Sequence, residues 1–104
     1  MPALLIVDET ITEQELFEEY KRAVVPTIEK YGGRFLARGE ALRTLEANGT
    51  WNPDRLVIVE FPDMATLKAW YESPEYAPAR EIRLQSASST LIAMETGVAI
   101  QSNN

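Results

Sequence analysis

Between Tyr31 and Phe61 the chain runs Tyr-Gly-Gly-Arg-Phe-Leu-Ala-Arg-Gly, passes a turn at Trp51 and returns as Arg-Leu-Val-Ile-Val-Glu-Phe. Two β-prone runs joined by a polar connection read as one long hairpin, and no other segment constrains the fold as tightly. In the returning strand Leu56 to Val59 is apolar without a break, whereas a strand with one wet face would alternate. That strand is therefore expected to be covered on both faces. Glu60, set between the run and Phe61, is then a carboxylate in apolar surroundings. Such a group is either paired or functional.

A chain of 104 residues is the size of one ordinary domain, and one unit over residues 1–97 with a polar tail at 98–104 is expected. Hydrophobic residues make up 45% and charged residues 25%, as in a soluble globular protein. The net charge of −6 gives an average surface field that repels phosphate backbones and anionic lipid heads. Neither nucleic acid nor a membrane is an expected partner. A small anionic organic ligand is compatible with that charge, because a few arginines inside a pocket reverse the sign locally; Arg34, Arg38 and Arg80 are the candidates.

The chain contains no histidine and no cysteine. Within one subunit this removes a Ser-His-Asp triad, a thiol nucleophile, a disulfide, a zinc site of the usual ligands and a two-histidine iron site. Carboxylates, Tyr, Lys, Arg, hydroxyls and the N-terminus remain for chemistry. Asp8 and Glu95 stand at strand ends with Glu60, but no ligand-dense loop accompanies them, so no metal and no cofactor are expected. The start Met1-Pro-Ala-Leu-Leu-Ile-Val7 lacks a basic flank and meets Asp8-Glu9 after a very short apolar run, which makes it a strand and not a signal peptide. No segment approaches the roughly 20 apolar residues of a membrane span. A cytoplasmic location is expected.

Along the chain, Ala3 to Val7 reads as the first strand, and Thr12-Glu-Gln-Glu15 has the spacing of a capping box for a helix starting near Glu13. Leu16, Tyr20, Val24, Ile28 and Tyr31 form its apolar stripe. Pro26 predicts a kink or a break there, and Gly32-Gly33 ends the element. After the hairpin, Pro62-Asp63 starts a short helix that buries Met64, Leu67, Trp70 and Tyr71. Ser73-Pro74 stops it and starts another, on which Tyr76, Arg80 and Leu84 share a face. Ser89 to Glu95 alternates as the last strand.

Strand, helix, strand, strand, helix, strand is the ferredoxin-like βαββαβ plan, an α+β fold with an antiparallel sheet. Right-handed crossovers put the first and third strands in the centre and all helices on one face. Because both central strands are apolar on both sides, the other face needs a cover. A homodimer with its two sheets packed face to face, a dimeric α/β barrel, is expected.

Several separated blocks agree in order with a known family. Tyr31 to Gly39, the Trp51 turn, Arg55 to Pro62, Ala69-Trp-Tyr-Glu-Ser-Pro-Glu-Tyr76 and Arg80 resemble the uncharacterised family called domain of unknown function thirteen-thirty, in the dimeric α/β-barrel group. Cofactor-independent monooxygenases, lactone isomerases, dehalogenase-like proteins and ligand sensors occur in that wider group, so the resemblance implies a small-molecule pocket. Where the family usually turns after Leu-Glu-Gly, this chain has Leu45-Glu-Ala-Asn-Gly-Thr-Trp51, which implies a longer hairpin tip.

The sharpest functional expectation uses Glu60 as proton acceptor or acid and Tyr76 as hydrogen-bond donor to an oxyanion. Arg38 and Arg80 would hold an anionic substrate and Trp70 would stack on it. An apolar setting raises a carboxyl pKa, guanidinium forks match carboxylates, and a phenol suits an oxyanion. The alternative for Glu60 is a structural ion pair with an arginine, and for Trp70, as for Tyr31, Trp51 and Tyr71, ordinary core or dimer packing. Two functions follow. One is a cofactor-independent enzyme moving a proton or isomerising a small organic acid or lactone; the other is a non-catalytic dimer that binds a metabolite or a protein.

Overall fold

In the computed structural model, which describes residues 1–39 and 41–97, the first strand does not stop at Val7 but runs on as β1, Ala3–Ile11. Alternation explains the extension: Ala3, Leu5, Val7 and Glu9 are all buried, so the row that looks inward continues through the two acidic residues. After β1 come α1 (Gln14–Lys30), β2 (Arg34–Gly39), β3 (Leu56–Phe61), α2 (Met64–Tyr71), α3 (Ala77–Ser86) and β4 (Ala87–Glu95). The strands form one sheet in the order β2-β3-β1-β4, every neighbouring pair antiparallel. This is the expected ferredoxin-like arrangement, with β1 and β3 central. The polar tail expected at 98–104 lies outside the described residues.

Register sorts the side chains. Leu5 stands opposite Val59 and Ile6 opposite Ile58, so odd positions of both central strands point one way and even positions the other. The odd face carries Val57, Val59 and Phe61 beside the β1 row, and the helices cover it. The even face carries Leu4, Ile6, Leu56 and Ile58, and β4 adds Met94 opposite Leu4 and Ile92 opposite Ile6, 47% and 57% exposed. An apolar sheet face is thus left open, as the two-sided hydrophobicity of these strands requires.

The helix ends depart from the local expectations in instructive ways. No side chain caps α1 at Glu13; instead the amides of Thr12 and Glu13 donate to the Ser86 carbonyl at 2.8 and 3.1 Å. The end of α3 thus anchors the chain as it enters α1. Nor does Pro26 break α1, which runs through it as one helix. Phe17, Tyr20, Val24 and Ile28 bury one continuous stripe, and that burial offsets the roughly 3 kcal/mol a mid-helix proline costs. Phe17 thereby takes the place expected of Leu16.

At the other end Gly33 donates to the Ile28 carbonyl (2.9 Å) and Gly32, at φ +77°, to Glu29 (3.0 Å), closing a Schellman turn. A Cβ on Gly33 would sit 2.7 Å from Ile28 and 2.9 Å from the Phe61 ring, so glycine is what lets β2 leave α1 so close to the sheet. Lys30 and the Tyr31 hydroxyl then both bind Glu75, tying this corner to the turn before α3. Lys30 above all holds the Glu75 carboxyl down, to a pKa of about 2.

Asp63 caps α2 by accepting from the Thr66 amide at 2.7 Å. Ser73 follows as a joint: its hydroxyl donates to the Trp70 carbonyl (2.8 Å) and accepts from the Tyr76 amide (3.1 Å). The buried stripe that comes next is Tyr76, Ala79, Arg83 and Ser86, spaced three, four and three residues apart. The stripe expected from Tyr76, Arg80 and Leu84 is not the one used; Leu84 is 58% exposed. No helix among the described residues is long and apolar enough to cross a membrane.

Candidate functional site

A cavity of about 380 Å³ lies between α1 and the helix-covered face of the sheet. It is a half-open hollow, not a sealed void, and its size admits a small molecule. Leu5, Val7, Val57 and Val59 form its sheet wall, Val24 and Ile28 its helix wall, and Trp70 closes one end. The polar groups are Glu9, Tyr20, Lys21, Arg38 and Arg55. Strand alternation puts Glu9 and Arg55 there, because each extends the odd, inward row of its own strand by one step.

Glu9 and Arg55 meet across the sheet. The Glu9 amide donates to the Arg55 carbonyl at 3.2 Å, and Arg55 Nε donates to Glu9 Oε1 at 3.3 Å. Both side chains are nearly enclosed, at 4% and 11% exposure, and the guanidinium lies 5.7 Å from the Phe17 ring centre. Burial pushes the Glu9 carboxyl above its ordinary pKa, and the opposing pull of Arg55 and Arg83 does not cancel it. A carboxylate of raised basicity therefore faces a largely apolar hollow.

A second polar chain runs back from Tyr20 in the cavity wall into the core. Arg83 Nε donates to the Tyr76 hydroxyl at 3.2 Å, and that hydroxyl is 3.3 Å from the hydroxyl of Tyr20. Tyr76 is held by its ring, whose centre is 4.2 Å from that of Trp70. Trp70 is fixed in turn: Nε1 donates to Thr27 Oγ1 at 3.0 Å, and Thr27 donates to the Val24 carbonyl at 2.7 Å.

The residues singled out from the sequence fall in three places. Trp70 and Arg38 line the cavity, Arg38 as an exposed side chain with its guanidinium 4.4 Å from the Phe35 ring centre. Tyr76 stands one residue back, reaching the cavity through Tyr20. Glu60 lies on the opposite, open face, where Arg34 Nε binds it at 2.8 Å across the strand pair. The pairing with an arginine is thus present, supplied by the neighbouring strand β2. Arg80 points away from both, its guanidinium 5.3 Å from the Tyr71 ring centre and its buried Nε without a hydrogen-bond partner among the described residues. Glu60, Tyr76 and Arg80 therefore do not share a pocket.

Glu9, Arg55, Tyr20 and Arg83 are the site residues that sequence reasoning passed over. Two signals pointed to them: Glu9 continues the Ala3-Leu5-Val7 alternation, and Arg83 lies seven residues, two helical turns, after Tyr76. Among the described residues no group of three or more acidic side chains is arranged to hold a metal ion.

Residues 2–97 match the family model described as domain of unknown function, DUF1330. No curated protein matches the sequence. Among solved structures, the RPA0582 protein of Rhodopseudomonas palustris, of unknown function, aligns with a TM-score of 0.77 at 20% identity, covering 94% of this chain and 84% of that one. SnoaB, a cofactor-independent oxygenase from Streptomyces nogalater, aligns at 0.66 with 12% identity, covering 96% and 97%. A dimeric ferredoxin-like protein of unknown function from Jannaschia sp. aligns at 0.64 with 11% identity, covering 92% and 100%. At such identities the likeness is one of fold.

Proposed function

The chain belongs to the DUF1330 family of domains of unknown function, and we propose that it binds a small organic acid or lactone in the helix–sheet cavity and moves a proton on it without a bound cofactor. The observation that carries this reading is the Glu9 carboxylate, enclosed, raised in pKa and facing a cavity of about 380 Å³. Such a volume suits a ligand of modest size. Arg38 at the rim would attract the ligand's negative end, and the valine and leucine walls its hydrocarbon body.

In the proposed step Glu9 takes a proton from the carbon beside the ligand's carbonyl. The C–H electron pair becomes that of an enolate, and the same carboxyl returns the proton to a different atom of the enolate. Nothing is oxidised or reduced, so no co-reactant is required. Arg55 orients Glu9 and keeps it ionised enough to accept. The description of SnoaB as a cofactor-independent oxygenase supports cofactor-free chemistry in a fold of this kind.

We place the homodimer here as well. Its interface would be the open sheet face of Leu4, Ile6, Leu56, Ile58, Ile92 and Met94. The Jannaschia structure, described as dimeric, supports that assembly.

A thermal-shift screen against small carboxylic acids, lactones and phenols, followed by proton exchange of any hit in heavy water, tests the reading. One chemical class should stabilise the protein, and its exchange at the carbon beside the carbonyl should vanish in Glu9→Gln while binding persists. Binding without exchange in the unaltered protein would leave a non-catalytic binding module. No hit in any class would remove the cavity from consideration.

A further inference from the structure

The proton count along Arg83, Tyr76 and Tyr20 has only one consistent solution. A guanidinium only donates, so the Tyr76 oxygen is the acceptor in the 3.2 Å bond from Arg83 Nε. Tyr76 is wholly buried, and the Tyr20 oxygen at 3.3 Å is the one acceptor within its reach among the described residues. If Tyr20 donated to Tyr76, the Tyr76 proton would be buried without a partner, a costly state. Tyr76 therefore donates to Tyr20. The Tyr20 proton is then left over, because no hydrogen bond from that hydroxyl to any other described group exists.

Tyr20 lines the cavity and is 8% exposed. We infer that Tyr20 directs its hydroxyl proton into the cavity as a donor polarised by the buried Arg83 charge, so that the site selects ligands with a carbonyl, enolate or phenolate oxygen at that point. Burial keeps the Tyr20 phenol far above its ordinary pKa and therefore protonated, as a donor must be. The charge balance agrees. Of the cations lining the cavity, Arg55 is paired with Glu9 and Lys21 with Glu18 at 3.2 Å, which leaves Arg38 for a ligand's negative end. Tyr76 and Arg83 are positioning residues here, and only Tyr20 touches the ligand oxygen.

This inference rests on the proposed function only in taking the cavity as the ligand site, and it needs no turnover. The probe is 4-nitrophenol, whose absorption reports whether the bound molecule is phenol or phenolate, with 4-nitrotoluene as the same shape lacking the oxygen. The unaltered protein should bind both and shift the ionisation of bound nitrophenol toward phenolate. Tyr20→Phe and Tyr76→Phe should each abolish that shift and weaken phenolate binding about tenfold, the range of a charge-assisted hydrogen bond, while nitrotoluene affinity holds. Tyr76→Phe keeps the ring that packs on Trp70, so a folded variant is available even if changes at Arg83 are not tolerated. Binding of both probes with no ionisation shift, or a shift that survives Tyr76→Phe, overturns the inference and leaves the cavity as a binding site. Failure of both probes to bind the unaltered protein overturns the cavity as the ligand site and the inference with it.

Discussion

Glu9 reports its surroundings through its titration. Its pKa is raised in the folded protein chiefly by burial, so the folded state holds its proton at pH values where the unfolded chain has released it. Stability from this group is fully present below the ordinary value of 4.5 and falls as pH rises through the window up to the folded pKa. Urea unfolding at successive pH values should show that decline in the unaltered protein relative to Glu9→Gln, whose difference curve is flat above the window. A difference that rises with pH would mean that Arg55 and not burial dominates Glu9. Thr27 makes a second case. Thr27→Val keeps the side-chain shape but strips the acceptor from Trp70 Nε1, leaving a buried donor unpaired. The expected loss is about 1–3 kcal/mol, read from the urea midpoint.

The helix α1 is tied at both ends to parts of the chain distant in sequence. The Ser86 carbonyl anchors the chain as it enters α1, and the Gly32-Gly33 turn delivers β2 against Phe61. Gly33→Ala tests that second corner. Its new methyl would overlap Ile28 on the helix and Phe61 on the sheet together, so neither neighbour relaxes alone. A destabilisation of about 1–3 kcal/mol is expected, with the far-ultraviolet circular dichroism unchanged because the elements themselves persist. The same view explains why α1 survives Pro26: the packing of Tyr20, Val24 and Ile28 belongs to the element as a whole, whereas the missing proline donor is a single loss.

For the molecule as a whole, the sheet divides two kinds of surface. Its odd face, roofed by helices, holds the cavity with Glu9, Tyr20 and Trp70; its even face is apolar, open and edged by the Arg34–Glu60 pair. Ile58→Glu puts a charge into the centre of that open face without touching the core. If two copies join there, light scattering after gel filtration should show the variant as a monomer of native circular dichroism, and the unaltered protein at twice that mass. A monomeric unaltered protein would remove the homodimer.

Strand alternation, most of the α1 stripe, the Asp63 cap and the glycine stop were legible in the residues themselves, because each depends on neighbours within about four positions, whereas the α3 stripe was not. These determined the element order, and the apolarity of both faces of Leu4–Val7 and Leu56–Val59 implied a covered and an open side. The site was not local in that sense. Glu9 and Arg55 are 46 residues apart and Tyr20 and Tyr76 are 56 apart, and they meet only because register and helix rotation align them. Glu60 shows the same limit from the other direction: its apolar neighbours in sequence are shared by both faces, and parity alone sent it to the side opposite Tyr76. Which side of the sheet the crossovers cover is a property of the assembled chain, and that choice made Glu9 and not Glu60 the carboxylate of the cavity.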